Sequence, residues 1–129
     1  MNQLQVLLHT ALIDSGHIEK CGLLIRDTSQ IKTTSVGYKL EQSDVDTLVN
    51  AFNQPTLLRK KGLYFNEVYY TCIRADNEAI YAKENNRGLI LIKTKVYILF
   101  GTFNDRMNPA IAIEAIEQLG DYFKAKEQQ

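Results

Sequence analysis

The chain has 129 residues, of which 45% are hydrophobic, and its 15 basic and 15 acidic side chains cancel. This length suits a single domain over 1–129, and the zero net charge excludes a strong overall attraction to nucleic acid or membranes. No apolar run is long enough to form a transmembrane segment, and the amino terminus lacks the pattern of a signal peptide. We therefore expect a cytoplasmic protein.

The first part of the chain predicts a helix, a β-hairpin and a second helix. Apolar residues recur at helical spacing before Ser15-Gly16, a pair typical of a helix end. Two short strand-like segments then flank a polar turn. Ser43 is expected to cap the second helix, and Pro55 to stop it. The predicted elements are a helix at 2–14, strands at 21–26 and 30–35, and a helix between Ser43 and Pro55.

The rest of the chain predicts closely spaced strands and a final helix. Short connections imply antiparallel hairpins, because a parallel return needs a crossover. Asn108-Pro109 is a typical helix start, and Ala112, Ile116, Leu119 and Phe123 form the apolar stripe. This order predicts an α+β fold, an antiparallel sheet with the terminal helices packed on it. The predicted strands cover 63–66, 69–74, 79–83, 89–93 and 96–103, and the helix ends near 125.

No pattern in the chain is typical of catalysis. Phosphate-binding and nucleophile motifs are missing, and His9 and His17 are spaced wrongly for a metal pair on one helix. Cys21 and Cys72 lie in apolar runs and are expected to be buried thiols. The acidic segment 76–78 fits a solvated turn better than an acid–base pair. We predict that the chain is not an enzyme and uses no cofactor or metal.

The middle of the chain carries a basic bias. Residues 56–101 contain eight basic and four acidic side chains, a net charge of +4. Clustered on one face, the basic residues would attract anionic lipid headgroups with about 1 kcal/mol per side chain. Scattered, they would be an ordinary solvated surface. The lipid-binding candidates are Arg59, Lys60, Lys61, Lys83, Arg87, Lys93 and Lys95.

Several segments of the carboxyl half resemble the profilin family. Gly62-Leu-Tyr-Phe65 and the run 70–76 resemble its central strands, and Lys93-Thr94 continues the pattern. Asn108-Pro109 resembles the Thr-Pro start of its last helix, and Leu119-Gly-Asp-Tyr122 resembles the end. The resemblance covers nearly the whole chain. It implies a central antiparallel sheet of six to seven strands, with N- and C-terminal helices on one face and small helices on the other.

The segments 44–50, 59–65 and 114–122 are most similar to a divergent, testis-associated fourth isoform of the family. That isoform is associated with phospholipid binding and with little or no binding of actin or polyproline. The similarity implies a cytoskeleton-associated protein whose ligand is an anionic phospholipid, a phosphoinositide or phosphatidic acid. Two alternatives remain, an actin-monomer-binding profilin that regulates actin polymerisation and a scaffold for another cytoskeletal partner.

Profilins hold proline-rich peptides on a floor of aromatic rings, which this chain has largely lost. It contains no tryptophan. The positions that match the family's two tryptophans and one tyrosine at this site are Gln3, Val6 and Lys32, and Tyr122 is the clearest remaining aromatic residue. Losing rings removes the anchors of such an interface. We therefore expect polyproline binding to be absent or very weak.

The expected actin face is altered as well. Where the family reads Thr-Pro-Gly-Gln-x-Asn and then a basic residue, this chain has Asn108-Pro-Ala-Ile-Ala-Ile-Glu114. Reversing a charge and removing hydrogen-bonding groups can cost several kcal/mol. The two isoleucines either pack at the core edge or form an exposed patch for a partner. The actin-face candidates are Arg74 and Lys83, which match positions that often touch actin, with Ala110, Ile111, Ile113 and Glu114.

Overall fold

A computed structural model describes residues 1–128, which form an antiparallel sheet of seven strands and four α-helices. The strands lie in the spatial order second, first, seventh, sixth, fifth, fourth, third, and every neighbouring pair is antiparallel. This confirms the predicted α+β class and strand number. The strands are β1 (Lys20–Ile25), β2 (Gln30–Thr34), β3 (Leu63–Phe65), β4 (Val68–Ala75), β5 (Ala79–Glu84), β6 (Arg87–Lys93) and β7 (Tyr97–Phe103). The helices are α1 (Gln3–Ala11), α2 (Gln42–Asn50), α3 (Pro55–Lys61) and α4 (Pro109–Glu127).

Helices cover both faces of the sheet. On one face, Leu8 of α1 and Ile116 of α4 are buried against strand residues such as Leu99. On the other face, Leu48 of α2 packs with Phe100, and α3 adjoins β4, the strand next to the edge strand β3. The predicted placement, with terminal helices on one face and small helices on the other, is confirmed. None of the helices described here is long and apolar enough to cross a membrane.

The start of α4 follows the sequence prediction closely. The Asn108 side chain accepts hydrogen bonds from the backbone N–H groups of Ala110 and Ile111, at 2.9 and 3.3 Å, and Pro109 takes the first helical position. This satisfies two amides that would otherwise lack helical partners. The whole predicted stripe is buried, comprising Ala112, Ile116, Leu119 and Phe123.

The segment between the second helix and the sheet differs from the prediction. The first hydrogen bonds of α2 run to the carbonyl of Glu41, so Ser43 lies inside the helix and does not cap it. Pro55, expected only as a stop, is the first residue of α3. A proline suits that position because its N–H would have no helical partner anyway. The basic run 59–61 is therefore helical, and it is not a loop.

Gly62 joins α3 to β3 in a conformation that favours glycine. Its φ is +78°, and a Cβ there would collide with the backbone carbonyl oxygen of Tyr70. Any other residue would meet both the left-handed backbone penalty and this clash. Gly62 thus fixes how the basic helix α3 lies along the edge of the sheet.

Candidate functional site

The outer part of the sheet is open on the face that carries the terminal helices. α4 packs over β6 and β7, whereas β3, β4 and β5 extend beyond it. Side chains along β4 point alternately to the two faces of the sheet. Tyr70 and Cys72 point into the core, whereas Tyr69, Thr71 and Ile73 point outwards. Tyr64 of β3 lies beside Tyr69, with ring centroids 6.2 Å apart. We define the outer sheet surface as Tyr64, Tyr69, Ile73, Arg74 and Lys83.

A β-bulge shapes this surface. The pairing of β4 with β5 shifts between Cys72 and Arg74, so Ile73 is an extra residue on the bulged strand. The side chain of Ile73 is 67% exposed and that of Tyr69 is 63% exposed. Large apolar side chains that are exposed together and bordered by charge are typical of a surface that binds another protein.

Arg74 lies where the outer sheet surface meets α4. Its Nε donates to Asp76 at 2.7 Å, and its Nη1 donates to the Tyr81 hydroxyl at 3.0 Å. That hydroxyl in turn donates to the Glu117 carboxylate of α4 at 2.6 Å. Burial, reinforced by Glu117, raises the pKa of Tyr81 to about 12. Arg74 is therefore held in one place, and its charge is partly balanced by the carboxylate of Asp76.

The α4 candidates for the actin face separate into two groups. Ala110 and Ile111 are exposed, and Ile111 lies one turn before Glu114 on the same side of the helix. Glu114 lines a cleft of about 400 Å³ that also contains Arg74. Ile113 instead packs against the core beneath α4. Ile113 thus packs at the core edge, as one of the two alternatives states, whereas Ile111 is exposed and its contact with a partner stays a prediction.

The seven basic candidates do not share one face. Lys83 and Arg87 lie where β5 turns into β6, whereas Lys93 and Lys95 lie at the opposite end of β6. Seven residues at about 3.3 Å each separate these ends by roughly 20 Å. The third group, 59–61, lies on α3 at the sheet edge. The condition for one basic lipid surface is not met.

Several of these cations already have partners. Arg59 donates to the backbone carbonyl of Ala75, and Arg87 forms an ion pair with Glu84 at 2.8 Å. The Lys93 ammonium lies 5.5 Å from the centre of the Phe52 ring, a cation–π contact on the α2 side of the sheet. Lys60, Lys61, Lys83 and Lys95 are exposed.

The aromatic residue Tyr122 has neighbours that the sequence did not reveal. Its ring centroid lies 5.6 Å from that of Phe123, which lies 5.5 Å from that of Tyr97 on β7. Sequence analysis missed Tyr97 because it looks like an ordinary strand residue, and only packing brings it to α4. Lys126 lies over the Tyr122 ring at 5.6 Å.

The three other polyproline-face candidates supply no ring to this group. Gln3 and Val6 are exposed on α1, and Lys32 is exposed on β2. Their side chains offer an amide, an aliphatic group and a cation. These groups provide little of the flat apolar area on which prolines stack.

The histidines and cysteines have structural roles. His9 Nε2 accepts a hydrogen bond from the Val36 N–H at 3.0 Å, and His17 Nδ1 accepts one from the Asn108 N–H at 2.8 Å. Cys21 and Cys72 are buried and unpaired, as predicted, and burial raises the pKa of the Cys21 thiol to about 12. Within residues 1–128, no three potential metal ligands lie together.

The comparison with family models decides the family, because the model described as Profilin matches residues 2–128. The chain belongs to the profilin family. Profilin-4 of Bos taurus is 40% identical over 127 residues, which cover 98% of each chain. This bears out the similarity to the fourth isoform. Profilins are actin-binding cytoskeletal regulators, so membership also confirms that the chain is not an enzyme.

Solved structures agree with the family assignment. Profilin II of Acanthamoeba castellanii superimposes with a TM-score of 0.87 at 29% identity, covering 95% of this chain and 98% of that one. The fold also matches LokiProfilin2 in its complex with rabbit actin, with a TM-score of 0.78 at 13% identity over 97% of this chain and 98% of the other. At that identity the likeness shows the fold alone.

Proposed function

We propose that this profilin binds monomeric actin weakly through the outer sheet surface and the exposed side of α4. The observation that carries the proposal is the group of exposed apolar side chains on β3 and β4, Tyr64, Tyr69 and Ile73. Aromatic and aliphatic groups on a rigid sheet suit the apolar centre of a protein interface. Lys83 and Arg74 add positive charge beside them.

The low affinity follows from the carboxylates around Arg74. Asp76 is bonded to its guanidinium, and Glu114 and Glu117 line the same cleft. These acids reduce the positive potential that an acidic partner would meet, and Glu114 stands where the family pattern has a cation. An unfavourable charge at an interface lowers the association rate and the affinity.

Pyrene-actin polymerisation tests this proposal. We expect the purified chain to slow polymerisation only at a high ratio of chain to actin. Ile73→Asp should abolish the effect, since it places a charge in the apolar centre, whereas Glu114→Lys should strengthen binding by about tenfold. Val36→Asp is the matched control because Val36 is similarly exposed but lies on the loop after β2. A wild-type chain and a Glu114→Lys variant that both leave polymerisation unchanged would contradict actin binding.

We propose that an anionic phospholipid is a second ligand. The exposed basic end of α3 supports this proposal. Lys60 and Lys61 are exposed there, and Arg59 anchors the helix to β4 through the Ala75 carbonyl. Two ammonium groups contribute about 2 kcal/mol near an acidic membrane, which gives weak binding that depends on salt.

Vesicle sedimentation tests the lipid proposal. Vesicles of phosphatidylcholine with phosphatidic acid should carry down more protein than phosphatidylcholine alone at low salt. The double variant Lys60→Glu, Lys61→Glu should remove that difference, and Lys32→Glu, Lys39→Glu is the control with the same change in net charge. Equal sedimentation with neutral and acidic vesicles would rule the lipid ligand out.

A further inference from the structure

Tyr69 joins the outer sheet surface to the basic end of α3. Its ring is exposed beside that of Tyr64, whereas Tyr70, the next residue of β4, is buried. The Tyr69 hydroxyl donates a hydrogen bond to the backbone carbonyl of Lys61, the last residue of α3. The last carbonyls of a helix have no partner within that helix. Tyr69 therefore supplies a donor that holds the end of α3 against β4.

The Tyr69 ring also lies close to the junction between α3 and β3. A Cβ placed on Gly62 would lie 3.0 Å from a carbon atom of the ring. The N–H of Gly62 donates to the carbonyl of Leu58 at 2.8 Å and closes the last turn of α3. Helix ends open more easily than the middle of a helix. The Gly62 amide therefore reports whether the end of α3 is closed.

The charges along the chain distinguish Tyr69 from the other exposed tyrosine of this surface. Glu67, in the turn that joins β3 to β4, precedes Tyr69 by two residues. Tyr64 instead follows the basic run 59–61. Protein kinases select their substrates partly by the charges beside the target hydroxyl. A tyrosine kinase that prefers acidic residues before its target therefore favours Tyr69 over Tyr64.

We infer that Tyr69 is a phosphorylation site through which a tyrosine kinase releases the end of α3 and blocks the outer sheet surface. In this reaction the phenolic oxygen of Tyr69 bonds to the γ-phosphorus of ATP, and the bond from that phosphorus to ADP breaks. The phenolic proton passes to the catalytic base of the kinase. The ester oxygen that remains on the ring carries no proton, so it cannot donate to the Lys61 carbonyl.

The added charge acts on both neighbours of the ring. A phosphate ester carries between one and a half and two negative charges near neutral pH, and it repels the carbonyl groups at the end of a helix. On the outer sheet surface it places a hydrated anion beside Ile73, in the apolar centre. The exposed ammonium groups of Lys60 and Lys61 attract the phosphate, which reduces the charge that they offer to an acidic membrane. Only the block of the outer sheet surface rests on the actin proposal.

Phosphopeptide mass spectrometry tests the site on the full chain, with ATP, Mg²⁺ and the catalytic domain of a tyrosine kinase that prefers acidic residues before its target. We expect phosphate to appear on Tyr69 severalfold faster than on Tyr64. Glu67→Lys should slow this modification severalfold, whereas Asp105→Lys, the same charge reversal on the loop after β7, should leave the rate unchanged. Faster modification of Tyr64, or an unchanged rate in Glu67→Lys, would overturn the inference.

Amide hydrogen exchange at Gly62 tests the release of α3 without actin. Phosphorylation should speed this exchange by about tenfold, because a hydrogen bond is replaced by repulsion. Tyr69→Phe, which removes only the hydroxyl, should speed it by a smaller factor. Tyr122→Phe is the control at another exposed tyrosine and should leave the exchange unchanged. Equal exchange in the wild-type and phosphorylated chains would overturn the release.

Pyrene-actin polymerisation with the phosphorylated chain separates this inference from the actin proposal. Phosphorylation should remove the effect of the chain on polymerisation, whereas Tyr69→Phe should keep most of it. An effect of equal size before and after phosphorylation would overturn the block of the outer sheet surface. If the unmodified chain has no effect on actin, the actin proposal fails, while phosphate on Tyr69 and faster exchange at Gly62 still support the modification site.

Discussion

Asp76 organises the tight turn between β4 and β5. One of its oxygens accepts a hydrogen bond from Arg74 at 2.7 Å, and the other accepts the backbone N–H groups of Glu78 and Ala79 at 2.8 and 3.0 Å. All three bonds favour the charged carboxylate. Chiefly because of Arg74, and then because of the two amides, the pKa of Asp76 is lowered to about 2. The acidic segment 76–78 is a solvated turn, as predicted, and its Asp76 also positions the surface cation Arg74.

The lowered pKa predicts how stability depends on pH. Since the folded-state pKa lies below the value of about 3.9 for an unfolded aspartate, Asp76 stabilises the fold above pH 4 and loses this effect as the pH falls towards 2. In urea unfolding between pH 5 and 2, Asp76→Asn should show a shallower loss of stability than the wild type. Asp105→Asn, at an exposed position, should follow the wild type. Identical profiles for the wild type and Asp76→Asn would contradict this role.

The helix α4 is attached to the rest of the molecule at three places along its length. Its first turn is joined to the loop before β1 through the bond from Asn108 to His17. In the middle of the helix, Glu117 accepts a hydrogen bond from the Tyr81 hydroxyl of β5. In the last turn, Glu127 accepts a hydrogen bond from the Lys95 N–H of the β6–β7 turn. The buried stripe holds the helix on the sheet, and these polar contacts fix its position along the helix axis.

The contact between Tyr81 and Glu117 is testable by a double-mutant cycle. Tyr81→Phe and Glu117→Gln should each lower the free energy of unfolding by about 1 kcal/mol, since a hydrogen bond to a charged group is lost or weakened. The double variant should be destabilised by less than the sum of the losses in the two single variants. Glu114→Gln, one turn earlier, should change stability by less than about 0.5 kcal/mol. Strict additivity in urea unfolding would show that the bond contributes nothing.

At the scale of the whole molecule, the helices decide which surfaces remain for partners. α1 and α4 leave the outer sheet surface open, and they expose Gln3 and Val6 with Tyr122 on their own outer sides. The first surface exposes aromatic and aliphatic side chains, whereas Tyr122 is the one aromatic residue among the four polyproline-face candidates. We therefore predict that this chain keeps the fold but binds proline-rich peptides very weakly or not at all.

If the missing rings are the cause, introducing aromatic residues at the other three candidate positions should produce a gain of function. Titration of an oligoproline peptide should give little or no signal with the wild type. The triple variant Gln3→Trp, Val6→Tyr, Lys32→Trp should bind measurably, because aromatic rings supply the flat apolar area that a polyproline II helix needs. Tyr122→Ala in that background should weaken the binding again. Micromolar binding by the wild type would contradict the prediction.

Local patterns were sufficient for much of the fold. The cap at Asn108, the stripe of α4 and the hairpins depend on residues close in sequence, so their periodicity and turn chemistry could be read directly. The prediction that Pro55 only stops a helix is wrong because a proline can end one helix or begin the next, and the local pattern does not distinguish these roles. The local pattern therefore does not predict the short helix α3, although the sequence does mark its basic residues as lipid-binding candidates.

The family, the α+β class, the buried stripe of α4 and the absence of tryptophan can all be read from the amino-acid sequence. The three-dimensional arrangement was needed to see that the basic residues fall into three groups, that Ile111 is exposed while Ile113 packs inwards, and that Glu127 bonds to the β6–β7 turn. The reason is physical. Periodicity fixes which way a side chain points on its own element, whereas strand register and helix coverage, which join distant segments, fix what it meets there.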